Sequence, residues 1–276
     1  MDRLAHTRLL NYIVFKLFQP NPVRLYMFRL VLGLLLLILF SPSIQAERLT
    51  LYSEEFPPFN YTHEGKFTGA ATEIVEAIMK IAEQDYAIKS YPWARSFHNT
   101  QVEKNAFIYS ISRRQKRESL FKWVGVLAPA NQSVFALKKR TDISVHSLDD
   151  MKAYTIGTTL EDSRESYLVS QGFDISTFER IGGNTPYHQL FLQLKRGRID
   201  LWPMPNAVMK HIVLANNEDP SRIIKQVFKL EEISQEGYYL AASLTTSDEI
   251  IFKLRKALKE FKQSKAYADI IKKWGL

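Results

Sequence analysis

The sequence predicts an α/β protein of two modest lobes. Strand-like and helix-like segments alternate along the chain, and the part that reads as folded is too long for one simple core. LTLY at 49–52 reads as a short strand, whereas 70–83 carries Ile74, Ala77, Ile78 and Ile81 at helical spacing on one face. Strands are expected at 86–90 and 106–111 with a helix near 93–103 between them, a β-α-β-α-β unit that should be parallel and right-handed. A second unit is expected from strands near 153–157, 178–181 and 199–202 and helices near 161–171 and 186–195. Residues 206–215 read as a further helix and 224–229 as a strand. GYYLAAS at 237–243 forms a strand that must join one of the two sheets. Ile250, Leu254, Ala257, Leu258 and Phe261 then share a helical face, and a last helix is expected over 264–274. Periodicity alone does not assign these closing helices to either lobe.

The first 46 residues stand apart from this pattern. LVLGLLLLILF at 30–40 is an unbroken apolar run that follows Arg24 and Arg29 and leads into a small-residue stretch ending at Ala46. A basic flank, a short apolar core and a small terminal residue are the features of a secretory signal peptide. A membrane span needs roughly 20 apolar residues, more than this run supplies. The expectation is cleavage after Ala46, with Met27 as a start that would give a signal of ordinary length, and 230 of the 276 residues in the mature chain.

Charge and cysteine content narrow the class of partner. The whole chain holds 37 Lys and Arg against 29 Asp and Glu. Five of those bases and one acid lie in the first 46 residues, so the remainder carries 32 against 28. That mild surplus, with no dense basic run, argues against nucleic acid and is compatible with an anionic ligand. The chain has no cysteine, which leaves no disulfide despite an oxidising destination and no thiol for lipid attachment. A soluble periplasmic protein fits these facts.

No GxSxG, HExxH or phosphate-binding glycine loop is present, and the six histidines are scattered rather than paired at metal spacing. No cofactor or metal is therefore expected. Four segments suit ligand binding instead. FPPFNY at 56–61 follows the first strand, and its prolines stiffen a loop that presents Phe59 and Tyr61, or simply packs on its own lobe. PWAR at 92–95 sets Trp93 at a helix start, where it lines a pocket or caps a core. In FIYSISRRQKR at 107–117, alternation places Phe107, Tyr109 and Ile111 on one face and Ile108, Ser110 and Ser112 on the other. Hydroxyls leaving the C-terminal end of a parallel strand stand where open α/β sheets bind ligands. One guanidinium among the basic residues that follow suits a carboxylate, while most of Arg113, Arg114, Lys116 and Arg117 read as a solvated loop. In IGTTLED at 156–162, Thr158 or Thr159 suits a helix N-cap, with Glu161 and Asp162 at capping-box spacing, and free amides there also hold anions.

At these residues the chain resembles the amino-acid-binding family of periplasmic solute-binding proteins, the receptors of ABC-type importers. The resemblance covers nearly all of 47–276. It rests on PPFNY followed by Gly69 and Glu73, the Ser-x-Ser run from Ser110 and Ser112 to Arg117, FKWVG at 121–125, the GTT turn, KRGRID at 195–200 and the ending IIKKWGL. The order and spacing of these pieces together are specific, although no one piece is.

The resemblance implies a type II periplasmic binding protein fold, each lobe a mostly parallel sheet flanked by helices, with the ligand enclosed between. It implies a first lobe of 47–137 plus 237–276 and a second of 138–236. By the same resemblance Arg117 pairs with a ligand carboxylate, Ser110, Ser112 and Thr158 supply polar contacts, and Phe59 is an aromatic wall. Closure of the second lobe is expected to bring up Thr158, Thr159 and Trp202. The implied partners are a small carboxylate-bearing solute and an inner-membrane ABC permease, with a monomer as the default.

Two positions depart from the family pattern. The acid that usually receives a ligand ammonium, about five residues beyond the Gly-Arg-x-Asp motif, is here Pro205. The usual Thr before the key Arg is Arg114. Both changes tilt the pocket toward an anionic ligand, unless Glu161, Asp162 or Glu73 supplies a counter-charge. Two other functions suit the same scaffold: a periplasmic lyase or dehydratase, with Glu73 or Glu161 as its acid, and a sensory receptor for a membrane partner.

Overall fold

The computed structural model describes residues 48–234 and 237–276, with six isolated positions before them. The expected secretion signal and its cleavage after Ala46 lie outside the described residues. The first lobe opens with β1 (Leu49–Ser53), the short hairpin β2 (Tyr61–His63) and β3 (Lys66–Thr68), and α1 (Ala70–Ile81). It continues through β4 (Tyr86–Ser90), α2 (Trp93–Val102), β5 (Ala106–Ser112) and β6 (Lys122–Ala128). The second lobe holds β7 (Gln132–Leu137), β8 (Gly157–Thr159), α3 (Ser163–Ser170), β9 (Glu179–Ile181) and α4 (Pro186–Lys195). Then follow β10 (Trp202–Pro205), α5 (Asn206–Ala215), α6 (Pro220–Ile223), β11 (Ile224–Lys229) and α7 (Glu231–Ser234). The chain ends with β12 (Tyr238–Ala242), α8 (Asp248–Lys262) and α9 (Lys265–Trp274).

The first sheet has the order β4-β1-β5-β12-β6. Its β4, β1 and β5 are parallel, with Leu51 opposite Ile88 on one side and Phe107 on the other. The late strand β12 inserts antiparallel between β5 and β6. That insertion is what returns α8 to this lobe. Gly125 on β6 leaves room for the buried Leu258 of α8, which a Cβ would approach to 2.7 Å.

The second sheet, β10-β7-β11, is antiparallel, beside a parallel β8-β9 pair joined to it by an Ile156–Leu201 bridge. Residues 132–137, expected in the first lobe, therefore form the fully buried central strand of the second. The strand expected near 199–202 lies at 202–205, prolines included. Pro203 and Pro205 have no N–H to donate, and β10 stands at a sheet edge where none is required. The strand expected at 153–157 is instead a 3-10 turn, Asp149–Ala153, followed by β8.

One junction fixes the loop that carries the site. The N-terminal amides of α1 have no side-chain cap; Ala70 donates to the Pro58 carbonyl at 2.9 Å and Ala71 to that of Phe59 at 2.8 Å. Gly69 makes this approach possible, because its φ is +113° and a Cβ would sit 2.4 Å from the Phe59 oxygen. Gly69→Ala is expected to destabilise the protein by about 1–3 kcal/mol from backbone strain alone. The midpoint of chemical denaturation measures this, and an unchanged midpoint would refute it. The buried Asn60 completes the clamp by donating to the Glu54 carbonyl at 2.8 Å and to Ser53 Oγ at 3.0 Å. Glu54 and Phe56 are thereby held at the edge of the first lobe.

Candidate ligand-binding site

The two lobes touch across a cleft that closes down to a small polar cavity of about 20 Å³. The first lobe brings Glu54, Phe56, Trp93, Ser110, Ser112, Arg117 and Tyr238 to it, and the second brings Asp162, Ser163, Arg164 and Tyr187. Trp93 Nε1 donates to the Glu161 carbonyl at 3.0 Å, Ser163 Oγ to Ser112 Oγ at 3.3 Å, and the Tyr187 hydroxyl to Glu54 at 2.9 Å. These cross-lobe bonds define a closed form.

Arg117 lies within the 3-10 turn Gln115–Leu120, over the Trp93 and Phe97 rings at 5.1 and 5.2 Å. Its guanidinium donates only to carbonyls, of Ser112 at 3.3 Å and Glu161 at 3.5 Å. Among the described residues no carboxylate stands within ion-pair distance of it. Burial lowers its pKa to about 10, against the opposing pull of Asp162. Of the other basic residues in the segment, Arg113 pairs with Glu118, Arg114 reaches the Ile233 carbonyl of the second lobe at 2.9 Å, and Lys116 is exposed.

Ser110 shows how the sheet shapes the site. Between β5 and β12 the register passes from Ile111–Tyr239 to Tyr109–Leu240, so Ser110 is an unpaired bulge residue, with φ +60°. The bulge breaks the expected alternation. Ile111 joins Ile108 against Trp93, Phe121 and Trp123, not Phe107 and Tyr109. Ser110 and Ser112 both reach the cleft, and the Ser110 hydroxyl is buried without a hydrogen-bond partner.

On the second lobe the cap of α3 is Asp162 rather than Thr158 or Thr159. It accepts the Arg164 amide at 2.7 Å and the Glu165 amide at 3.1 Å. The Thr158 hydroxyl instead donates to Glu165 at 2.9 Å, within an ion pair of Glu165 and Arg180. Thr159 is buried with its hydroxyl unpaired and does not line the cleft. Trp202 packs against Phe191 in the second lobe's core. Phe59 is likewise a core residue, stacked 5.3 Å beneath Phe56, which is the ring that lines the cleft. Tyr61 packs outside it against His211 and Trp274. Of the residues expected from sequence, Trp93, Ser110, Ser112 and Arg117 thus meet in the cleft; Phe59, Tyr61, Thr158, Thr159 and Trp202 stand behind or beside it.

Sequence reading passed over Glu54, Arg164, Tyr187 and Tyr238. Arg164 forms a buried ion pair with Asp162, both side chains under a tenth exposed. Its one sequence signal is the Asp-x-Arg spacing, which in the first turn of a helix reads as solvated charge. Glu54 is buried, and desolvation pushes its carboxyl up to about 7; Tyr187, Arg164 and Arg117 oppose the shift and Asp162 adds to it. The folded state then holds a proton that the unfolded chain releases. Stability of the closed form should fall as pH rises from 4.5 to 7. Glu54→Gln should flatten that slope in thermal melts, and an unchanged slope would exclude Glu54 as its source. The two acids considered for enzymatic chemistry are elsewhere engaged or exposed: Glu73 pairs with Lys273, and Glu161 points its carbonyl at the cleft while the residue is exposed. Among the described residues no cluster of His, Asp and Glu suits a metal ion.

Two lobes with separate sheets, closed on a buried polar cleft, define a solute receptor. The chain belongs to the bacterial extracellular solute-binding proteins, family 3, whose pattern matches residues 50–276. Solved structures similar to it include an ancestral arginine-binding protein bound to arginine, at 24% identity and TM-score 0.70 over 82% of this chain and 97% of the other. The arginine-, lysine-, histidine-binding protein ArtJ of Geobacillus stearothermophilus is similar at 22% identity and TM-score 0.66, over 83% and 95%. A histidine kinase sensor domain resembling periplasmic binding proteins is similar at 16% and TM-score 0.71, over 83% and 96%. No curated protein matches the sequence.

Proposed function

We propose that this protein is a periplasmic receptor for a small carboxylate-bearing solute, gripped by Arg117 and delivered to an ABC importer. The observation that carries the reading is Arg117 itself, a buried guanidinium lining the cleft that hydrogen-bonds only to carbonyls, stacks on ring faces and has no carboxylate in ion-pair contact. A ligand carboxylate supplies the missing counter-charge, and cleft closure removes water from the pair. The hinge motion brings the Glu161 carbonyl, Asp162, Ser163, Arg164 and Tyr187 onto the ligand, in place of the threonines and Trp202 first expected. The arginine bound by one relative has the wrong charge for this cleft. Arg117 and Arg164 are both cations here, while Glu54 is held toward its neutral form. The protein works as a monomer, exported by its N-terminal signal.

Thermal-shift screening of amino acids, their deaminated analogues and dicarboxylates is the first test, because binding to the folded state alone raises Tm. Stabilisation by carboxylates that is lost in Arg117→Ala supports the reading; stabilisation only by uncharged solutes would refute it. The sensor-domain relative favours a second reading, in which the closed form signals to a membrane partner. Uptake of the identified ligand that persists after deletion of the gene would favour sensing over transport.

A further inference from the structure

Beside Arg117 the cleft holds a second polar corner. The expected ammonium acceptor is replaced by Pro205, whose register partner across β10 and β7 is Gln132. Gln132 Oε1 accepts from Arg164 Nη1 at 3.3 Å, so the Arg164 guanidinium reaches the residue paired with Pro205. The Phe56 and Tyr187 rings flank it at 5.9 and 5.8 Å, and Nη2 donates to Asp162. A guanidinium carries five N–H donors, and only two are engaged by these bonds. Across the same cavity lies the hydroxyl of Tyr238 on β12, fully buried and without a hydrogen-bond partner. Arg164 and Tyr238 therefore both present donors to this cavity; of the two carboxyl groups that line it, Asp162 is paired with Arg164 and Glu54 accepts from Tyr187.

We propose that Arg164 and Tyr238 form a subsite for an oxygen atom on the carbon next to the ligand carboxylate, so that the receptor selects α-hydroxy and α-keto acids over α-amino acids. The proposal rests on the Arg117 reading. An ammonium is donor-only, so it makes no bond to the donor-only guanidinium and adds like charge beside it, leaving the spare guanidinium donors unpaired. A keto or hydroxyl oxygen accepts from both donors. A hydroxyl also has a proton to give to the unpartnered Ser110 Oγ. Sites built to bond a substrate oxygen reject analogues that lack it far more strongly than apolar pockets reject a missing methylene.

The test is calorimetry with three carbon skeletons, each in keto, hydroxy and amino form: pyruvate, lactate and alanine; α-ketoglutarate, α-hydroxyglutarate and glutamate; phenylpyruvate, phenyllactate and phenylalanine. In whichever skeleton binds, an oxygen form is expected to bind at least about tenfold more tightly than the amino form, the scale of one well-made hydrogen bond to a charged group. Tyr238→Phe should leave the ligand-free Tm no lower, because the hydroxyl has no protein partner to lose, yet it should shrink that preference. Arg164→Gln should shrink it further. Equal or tighter binding of the amino form overturns the subsite, as does a preference untouched by Tyr238→Phe in folded protein. Binding by no member overturns the subsite together with the carboxylate reading. Oxygen preference that survives Arg117→Ala at full affinity overturns the Arg117 grip and leaves the subsite standing.

Discussion

Arg117→Ala is expected to weaken ligand binding by about 2–5 kcal/mol, the usual cost of truncating one partner of a buried, hydrogen-bonded charge pair. That corresponds to a loss of roughly 30-fold to several thousand-fold in affinity. The effect is large because the ligand carboxylate, itself stripped of water in the closed cleft, would keep no cation whose charge is unclaimed. Arg164 is committed to Asp162, and Arg114 reaches across to the Ile233 carbonyl. The same variant should not lower the Tm of the ligand-free protein, since in that state Arg117 is a buried charge whose desolvation outweighs the pull of Asp162, with no carboxylate in ion-pair contact. The two readouts separate lost recognition from lost folding. Unchanged calorimetric affinity in a folded variant would remove Arg117 from the site.

Asp162→Ala has an expected effect at least as large, and it falls on stability. The substitution removes the α3 cap, worth typically about 1 kcal/mol. It also leaves the Arg164 guanidinium buried beside Arg117 with its counter-charge gone, and breaking a buried pair on one side costs about 3–5 kcal/mol. For a domain of this size the pair alone lowers Tm by roughly 6–20 °C. Asp162→Asn keeps a capping oxygen while losing the charge, so it should retain the smaller part of the stability. The double variant Asp162→Ala, Arg164→Met removes the stranded charge and should recover most of the larger part. If the double variant melts no higher than Asp162→Ala, the ion pair is not the source of the loss.

Much of the fold is written locally. The apolar faces of α1 and α8 follow in large part from spacing, since Ile74, Ile78, Leu254, Ala257, Leu258 and Phe261 are buried as expected, whereas Ile81 is exposed, Ile251 is buried in place of Ile250, and α9 is only half-buried. Even so, β6 and β7 give no periodic signal of their own. Every residue of β7 is buried, and a strand covered on both faces reads as a plain apolar run. Of the site, Trp93, Ser110, Ser112 and Arg117 were legible from motif order. Phe59 was legible as an aromatic but assigned one ring too far along the loop. The clamp made by Asn60 and Gly69 turns Phe56 to the cleft and leaves Phe59 in the core beneath it.

By itself the sequence determined an α/β chain with a candidate export signal, no cysteine, a small excess of positive charge, and an arginine at the end of a serine-bearing strand. Those properties live in composition and in spacing over a few residues. Only the tertiary structure decided that Ser110 is a bulge, that β12 enters the first sheet, and that Arg164 rather than a threonine faces the cleft. Each depends on residues far apart in the chain: Glu54 meets Tyr187 across 133 positions, and Arg114 meets Ile233 across 119. Local periodicity reports which face of an element is apolar. It carries no record of which opposite face will close upon it, and here that pairing forms the candidate binding cleft.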